Sequence, residues 1–415
     1  MKVLVTAYAC HPHWGSENAI GWTAVNTLAR DHELWVLTCG RNREGLTRAA
    51  ADGLVPPNVH FVYAGDYREW HPNRLRARLQ GWREYAQFSK NLMPTARELH
   101  AAEHFDLAHH ITYATWRVAS PLWQLGIPLV LGPIGGYTNV SLRMLPSLSS
   151  VGAGFEMMRN LSNLVARISA PVRACARHAA HIFTPDAETG VLMKRLRGST
   201  EGVTGLSQAF YTPDKIQAFT RHGNLRAPDG PLRLFAGGNM IGTKGIALAL
   251  RALARAKATG VKFRYRLGST GPEEPHLQRL VRQLDLAQEV VFGPELRGAA
   301  YQQELASTHV FLLPSLRESA GLTMMEAMLS GCLPVVADCG GPGLIVTGEC
   351  GCKIPVRTPE QMVSQLAEVI ISLDRDRELI AQKGQAASRR IIRDFSEEHY
   401  RATVNTVYRS VIRSK

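Results

Sequence analysis

The chain has few cysteines, and their pattern suits neither disulfides nor zinc; Cys350 and Cys352 form only a C-x-C in a Gly-rich turn, which reads as structural. Seven stand at 10, 39, 175, 332, 339, 350 and 352, an odd number with no Cys-x-x-Cys pair. That excludes a disulfide framework and a thiolate zinc site, and it points to a reducing, cytoplasmic setting. Long apolar runs are missing too: none approaches the roughly 18 residues of a membrane span. The opening Met1 to Cys10 is apolar, but it is short and is followed by His11-Pro12-His13-Trp14 in place of small residues. It reads as a buried strand, not as a signal peptide. Acid is scarce, with 35 Asp and Glu against 48 Lys and Arg and a net charge of +13. Such an excess implies an anionic partner, a nucleotide diphosphate or a phospholipid surface. No nucleic-acid motif accompanies the basic residues, which alternate with apolar ones, so nucleic acid is not expected as a partner.

What is present suits two domains, since 415 residues exceed one comfortable core. Strand–loop–helix units recur. Residues 2–9 form a strand, a loop containing Gly15 follows, then a helix from Ala19 and a second strand from Leu34 to Thr38. This is a Rossmann-like opening without the full G-x-G-x-x-G fingerprint. The most informative stretch runs from His309 to Met328. Val310-Phe-Leu-Leu has the composition of a buried parallel strand, and Pro314 and Ser315 end it. A polar loop carries Arg317, Glu318 and Ser319, then Ala320 and Gly321, and helix formers begin near Leu322 and Thr323. That order aims the first N–H groups of a helix at whatever lies above the sheet, which favours phosphate.

Two acids eight residues apart, Glu318 and Glu326, mark the ends of this loop. With that spacing the region resembles the signature loop of retaining GT-B glycosyltransferases of family 4. The resemblance extends over nearly the whole chain and is strongest from Leu232 to Gly348. It implies an α/β fold with two Rossmann-like domains facing a central cleft and a C-terminal helix crossing back to the first domain. It implies residues 1–205 as the acceptor domain, 206–230 as linker, 231–385 as donor domain and 386–415 as the returning helix. A nucleotide diphosphate-sugar of UDP or GDP type would be the co-substrate, with no further cofactor and no metal. A glycan or lipid-linked acceptor in cell-surface polysaccharide synthesis is the implied acceptor. By the same resemblance Glu326 binds the ribose, Glu318 the transferred sugar, and the amides of Gly321 to Thr323 the diphosphate. Gly15 lies across the donor phosphates. Where the family has Gly-Arg-x(4)-Lys-Gly to grip the pyrophosphate, this chain has Lys244-Gly245 but Asn239 in place of the Arg. In Asp106-Leu-Ala-His109-His110 one histidine is expected at the donor sugar, His109 ahead of His110, because neighbours on a strand face opposite ways. Gly135-Gly136 is a strand-end hinge on the acceptor side.

Two stretches look outward. Residues 66–100 alternate Arg and Lys with Trp, Leu and Phe, and residues 138–180 contain a single acid, Glu156, among Arg143, Arg159, Arg167, Arg173 and Arg177. Either could lie on an anionic membrane surface, or be an ordinary solvated helix. Asp374-Arg-Asp376 mimics a metal-binding pair but falls on a helix, as a solvated face. Two other functions compete with sugar transfer: a binding subunit with a decayed site, and a sugar-nucleotide epimerase on the same fold.

Overall fold

The computed structural model describes residues 1–65, 74–113 and 115–413. The chain divides into two compact units. The first comprises Met1–Tyr137, Asn163–Gln208 and the chain from Tyr400 onward; the second comprises Thr138–Ser162 and Ala209–His399.

The first unit is built on β1 (Lys2–Ala7), β2 (Glu33–Thr38), β3 (Val59–Tyr63), β4 (Leu107–Thr112), β5 (Leu129–Leu131), β6 (His181–Thr184) and β7 (Val203–Gly205). All pairings are parallel, in the order β3-β2-β1-β4-β5-β6-β7. Parallel strands buried on both faces read as apolar runs, and β1 and β2 are buried throughout except for their first residue. The second unit is built on β8 (Leu232–Ala236), β9 (Phe263–Leu267), β10 (Val290–Phe292), β11 (Val310–Leu313), β12 (Leu333–Ala337) and β13 (Cys352–Ile354). Its sheet is again all parallel, in the order β10-β9-β8-β11-β12-β13. These are two Rossmann-like domains. In each, the strand order reverses beside the first strand, between β1 and β4 and between β8 and β11. Loops at the carboxyl ends of such strand pairs are where open α/β sheets hold ligands.

Three sequence expectations differ from the structure. The stretch expected to be a linker, 206–230, contains the helix Pro213–Thr220. Periodicity missed it because it is short and starts on a Pro at its first turn, where a proline costs no hydrogen bond. Residues 138–162 group with the second unit. Residues 386–399 stay with the second unit as well, and the chain joins the first only from Tyr400. Within the first unit Tyr408 is fully buried, and Asn405 bonds to His32 at 2.6 Å and to Asp31 at 2.6 Å. Asp374 and Asp376 sit where two helices meet, the first half-buried and the second exposed. Asp376 caps the helix Arg377–Asp394 through the Leu379 amide at 2.9 Å, and Asp374 pairs with Arg377 at 2.6 Å.

Candidate functional site

In the second unit the loops after β8 and β11 meet at the reversal point. Gly237 and Gly238 follow β8, and the turn after them places Lys244 in a single-turn helix, Gly242–Lys244. β11 is followed by Pro314 to Ala320. The Leu316 amide donates to the Thr243 carbonyl at 2.8 Å, which joins the two loops. Across that junction the Lys244 ammonium donates to Glu318 Oε2. Only 15% of the Lys244 side chain and 18% of the Glu318 side chain are exposed. The pair is therefore screened weakly, and each partner would be costly to leave alone.

Gly321 adopts φ 69°, the left-handed region, and opens the helix Leu322–Leu329. Leu322 and Thr323 thus form the first turn of this helix, whose N–H groups have no partner within the helix. Glu326 follows on this helix. Its Oε2 accepts from the Tyr301 hydroxyl at 2.9 Å, and burial raises its pKa against the lowering effect of that bond. The hydroxyl of buried Tyr211 donates to the Leu322 carbonyl at 3.1 Å and so fixes the start of the helix. Asn239 is exposed. Its side-chain oxygen lies against the backbone at Gly271, where a Cβ would approach it to 2.6 Å.

Three supports of this loop were not apparent from the sequence. Tyr301 is one. The second is Arg317, which makes a two-pronged bond to Glu156 at 2.9 and 3.1 Å; the carboxylate is buried. The lone acid of a basic stretch is thus a structural counter-ion, and nothing in the spacing joins positions 156 and 317. The third is Gly340-Gly341. The Gly341 amide donates to the Glu318 carbonyl at 3.1 Å. A Cβ on Gly340 would lie 2.1 Å from the Glu318 carbonyl oxygen, and one on Gly341 1.9 Å from that of Ser319. The doubled glycine was visible; its partner was not.

In the first unit the loop after β1 carries Gly15, which is exposed, with nothing within 4 Å of an added Cβ. Glu17 anchors that loop to the end of β4, its Oε1 accepting from the Tyr113 amide at 2.6 Å. His109 corrects the expectation. It is fully buried, with Nδ1 bonded to Tyr408 Oη at 2.6 Å and Nε2 to the Gly132 carbonyl at 2.8 Å. Both ring nitrogens are occupied within the unit, so no polar atom is left for a sugar. His110 faces the other way, as alternation requires, and is also buried; its Nδ1 lacks a partner among the described residues. It lines a cavity of about 20 Å³ with Trp116 and Ser120. Neither histidine is brought to the open end of the sheet. Gly135 is buried against Pro185, whose ring carbon would lie 2.8 Å from an added Cβ, so packing already accounts for it. Gly136 has φ 89°, and its carbonyl accepts from Arg117 at 3.2 Å.

Burial lowers the His109 pKa from its ordinary 6.5 to about 3. A histidine held neutral contributes stability above the unfolded-state pKa and loses it as pH falls, because the unfolded chain takes up the proton first. The thermal midpoint is expected to drop between pH 6.5 and 5, at up to about 1.4 kcal/mol per pH unit from this residue. His109→Gln should be less stable at neutral pH with a shallower acid limb; an unchanged limb in calorimetry would contradict the assignment.

Two parallel Rossmann-like sheets, with lysine, carboxylate and helix N-terminus gathered at one reversal point, define the architecture of GT-B glycosyltransferases. Residues 231–372 match the family model "Glycosyl transferases group 1". Among curated relatives, a putative colanic acid biosynthesis glycosyltransferase, WcaL of Salmonella typhimurium, is 33% identical over 156 residues, 35% of this chain and 38% of the relative. The Escherichia coli protein of the same name is 30% identical over 42% of this chain and 44% of its own length. The chain thus spans about two fifths of the length of these relatives. A D-inositol 3-phosphate glycosyltransferase of Streptomyces coelicolor aligns over 89% of this chain and 83% of its own length, at 25% identity. Among solved structures, Anabaena HepE in complex with UDP and glucose shares the fold with TM-score 0.61 and 16% identity, over 99% of this chain and all of its own.

Proposed function

We propose that the chain transfers a sugar from a nucleotide diphosphate-sugar to a glycan or lipid-linked acceptor, with retention at the anomeric carbon and without a bound metal. The observation that carries this reading is the Lys244–Glu318 pair beside the free amides of Leu322 and Thr323. In the resting state the carboxylate neutralises the ammonium. A bound diphosphate competes for Lys244 and frees Glu318 to accept from sugar hydroxyls. As the glycosidic bond breaks, charge grows on the departing phosphate, and Lys244 with the helix amides meets it in a site already organised. The acceptor hydroxyl would attack from the same face, its proton passing to the leaving phosphate. The relatives named for colanic acid synthesis and the HepE complex with UDP and glucose support this donor class and a role in surface polysaccharide. An acceptor carried on lipid would be met at an anionic membrane surface on the cytoplasmic side. Incubation with a panel of nucleotide-sugars, following nucleoside diphosphate release and the anomeric configuration of the product, tests the reading. Release from none of them would favour a binding subunit.

Nucleoside diphosphates are expected to raise the melting temperature, since a ligand of the native state alone stabilises it by mass action. Glu326→Ala should reduce the shift more than Glu318→Ala, because ribose contacts persist when no sugar is attached. Equal reductions in both variants would overturn the division of roles.

A further inference from the structure

A strand inside a parallel sheet, covered on both faces, reads as an apolar run. β9 does not, although β10 and β8 flank it. Its sequence Phe-Arg-Tyr-Arg-Leu alternates, with Phe263, Tyr265 and Leu267 buried on one face and Arg264 and Arg266 on the other. Arg264 stands in register with Arg233 of β8, so a third guanidinium joins the same face. Like charges directly opposite on neighbouring strands repel, and an anion between them would offset that cost. The chain supplies little of it. Arg233 meets Glu304 of the helix Gly298–Ser307 at 3.5 Å, too long for a good hydrogen bond, and 45% of its side chain stays exposed. Arg266 is held against the backbone, since a Cβ added to Gly293 would lie 2.5 Å from its guanidinium. Among the described residues Arg264 and Arg266 make no ion pair, and the buried Nε of Arg266 has no acceptor.

The three arginines wall a cavity of about 430 Å³ in the second unit, the size of a small-molecule site. Ala227, Pro231 and His309, which also line it, precede β8 and β11, so it lies at the amino ends of those strands. Lys244 and Glu318 follow the same two strands. The five residues of β8, about 16 Å of strand, stand between the two places. His309 brings no charge to the cavity. Its Nδ1 accepts from the Arg233 amide at 3.0 Å, its Nε2 donates to the Ala227 carbonyl at 2.9 Å, and burial lowers its pKa. The remaining wall includes apolar Leu234 and Val291. One carboxylate, Glu304, already faces Arg233. Three phosphate oxygens and two charges match a pair of guanidinium forks better than a second carboxylate would. We propose that this cavity is a second ligand site that takes a small phosphate monoester, its phosphate between Arg233 and Arg264 and its organic body against Leu234 and Val291. The proposal does not depend on the transfer reaction. Of the two basic stretches singled out in the sequence, residues 66–73 and the side chains of 74–82 lie outside the described residues, and residues 138–180 are divided between the two units.

The test is calorimetric titration with phenyl phosphate of the full chain carrying Lys244→Ala, which removes the cation of the other site. Binding with a Kd on the order of 1 mM or tighter is expected, and it should weaken as chloride rises. In the same background Arg264→Glu should weaken it about tenfold or more. Arg264→Gln, which removes the charge without inverting it, should give a smaller loss in the same direction. Arg251→Glu, on the helix Ile246–Ala258 and outside the cavity, should leave the affinity unchanged. Arg264 and Arg251 are both exposed, so the melting temperature without ligand should stay near that of the Lys244→Ala chain in every variant. Inorganic phosphate should bind more weakly than phenyl phosphate; equal affinity would overturn the assignment of an ester. No binding to the Lys244→Ala chain, or equal binding with and without the Arg264 substitutions, overturns the proposal.

Discussion

Lys244→Ala is expected to lower turnover roughly a hundredfold or more while leaving the fold intact. The side chain lies at the reversal point of the second sheet, where the loops after β8 and β11 are tied by the Leu316 amide. On the proposed reading Lys244 carries the charge of the clamp, because Asn239 stands where the family has Arg. A leaving diphosphate gains charge in the transition state, so a cation there acts on kcat more than on ground-state binding. Losing one preorganised partner at such a place costs about 3 kcal/mol. Its contact with Glu318 makes a companion measurement informative. Glu318→Gln frees the ammonium and removes a like charge from the phosphate, so it should tighten nucleoside diphosphate binding while slowing transfer. Asn239→Arg should be neutral or mildly activating. Rapid-quench measurement of nucleoside diphosphate release reads all three. A Lys244→Ala protein with near-native turnover would mean that another cation neutralises the leaving group.

The elements that position this site could be read in the chain because the code is local there. A buried parallel strand needs an apolar run, and Val310 to Leu313 is one; Gly321 and the helix formers after it announce the turn and the helix start. The supports of the loop could not be read, because each depends on a partner far along the chain. Glu156 reaches Arg317, Tyr301 reaches Glu326, and Gly341 lies on Ser319. No periodicity connects such positions. His109 shows the opposite difficulty. A histidine at the end of a strand in an apolar setting is equally consistent with a ligand contact and with a core residue. What decides it is Tyr408, 299 positions away, which occupies one ring nitrogen. The helix Ser150–Ile168 shows a third case: its lone acid among arginines was visible, but which face looks inward depends on where Glu156 finds its counter-ion.

Gly341→Ala is expected to destabilise the second domain and to impair transfer more than its distance from the sugar would suggest. The added Cβ would lie 1.9 Å from the Ser319 carbonyl oxygen and 2.8 Å from its carbonyl carbon. Both atoms are backbone, so no rotamer change can make room, and one of the two loops must move. Overpacking of this kind costs up to about 3 kcal/mol. For a domain of this size that corresponds to a fall in melting temperature on the order of 10 °C. The loop that moves is the one holding Glu318, whose carbonyl accepts from the Gly341 amide at 3.1 Å. A displacement of about 1 Å in a positioning loop can cost on the order of a hundredfold in rate. Gly348→Ala is the matched control, since its added Cβ meets nothing within 4 Å, and it should be neutral. Thermal unfolding with and without nucleoside diphosphate separates the two effects. Gly341→Ala should melt early and gain less from the ligand, whereas Gly348→Ala should match the native chain in both. If Gly341→Ala also matched it, the Gly340-Gly341 contact would not be what holds the Glu318 loop in place.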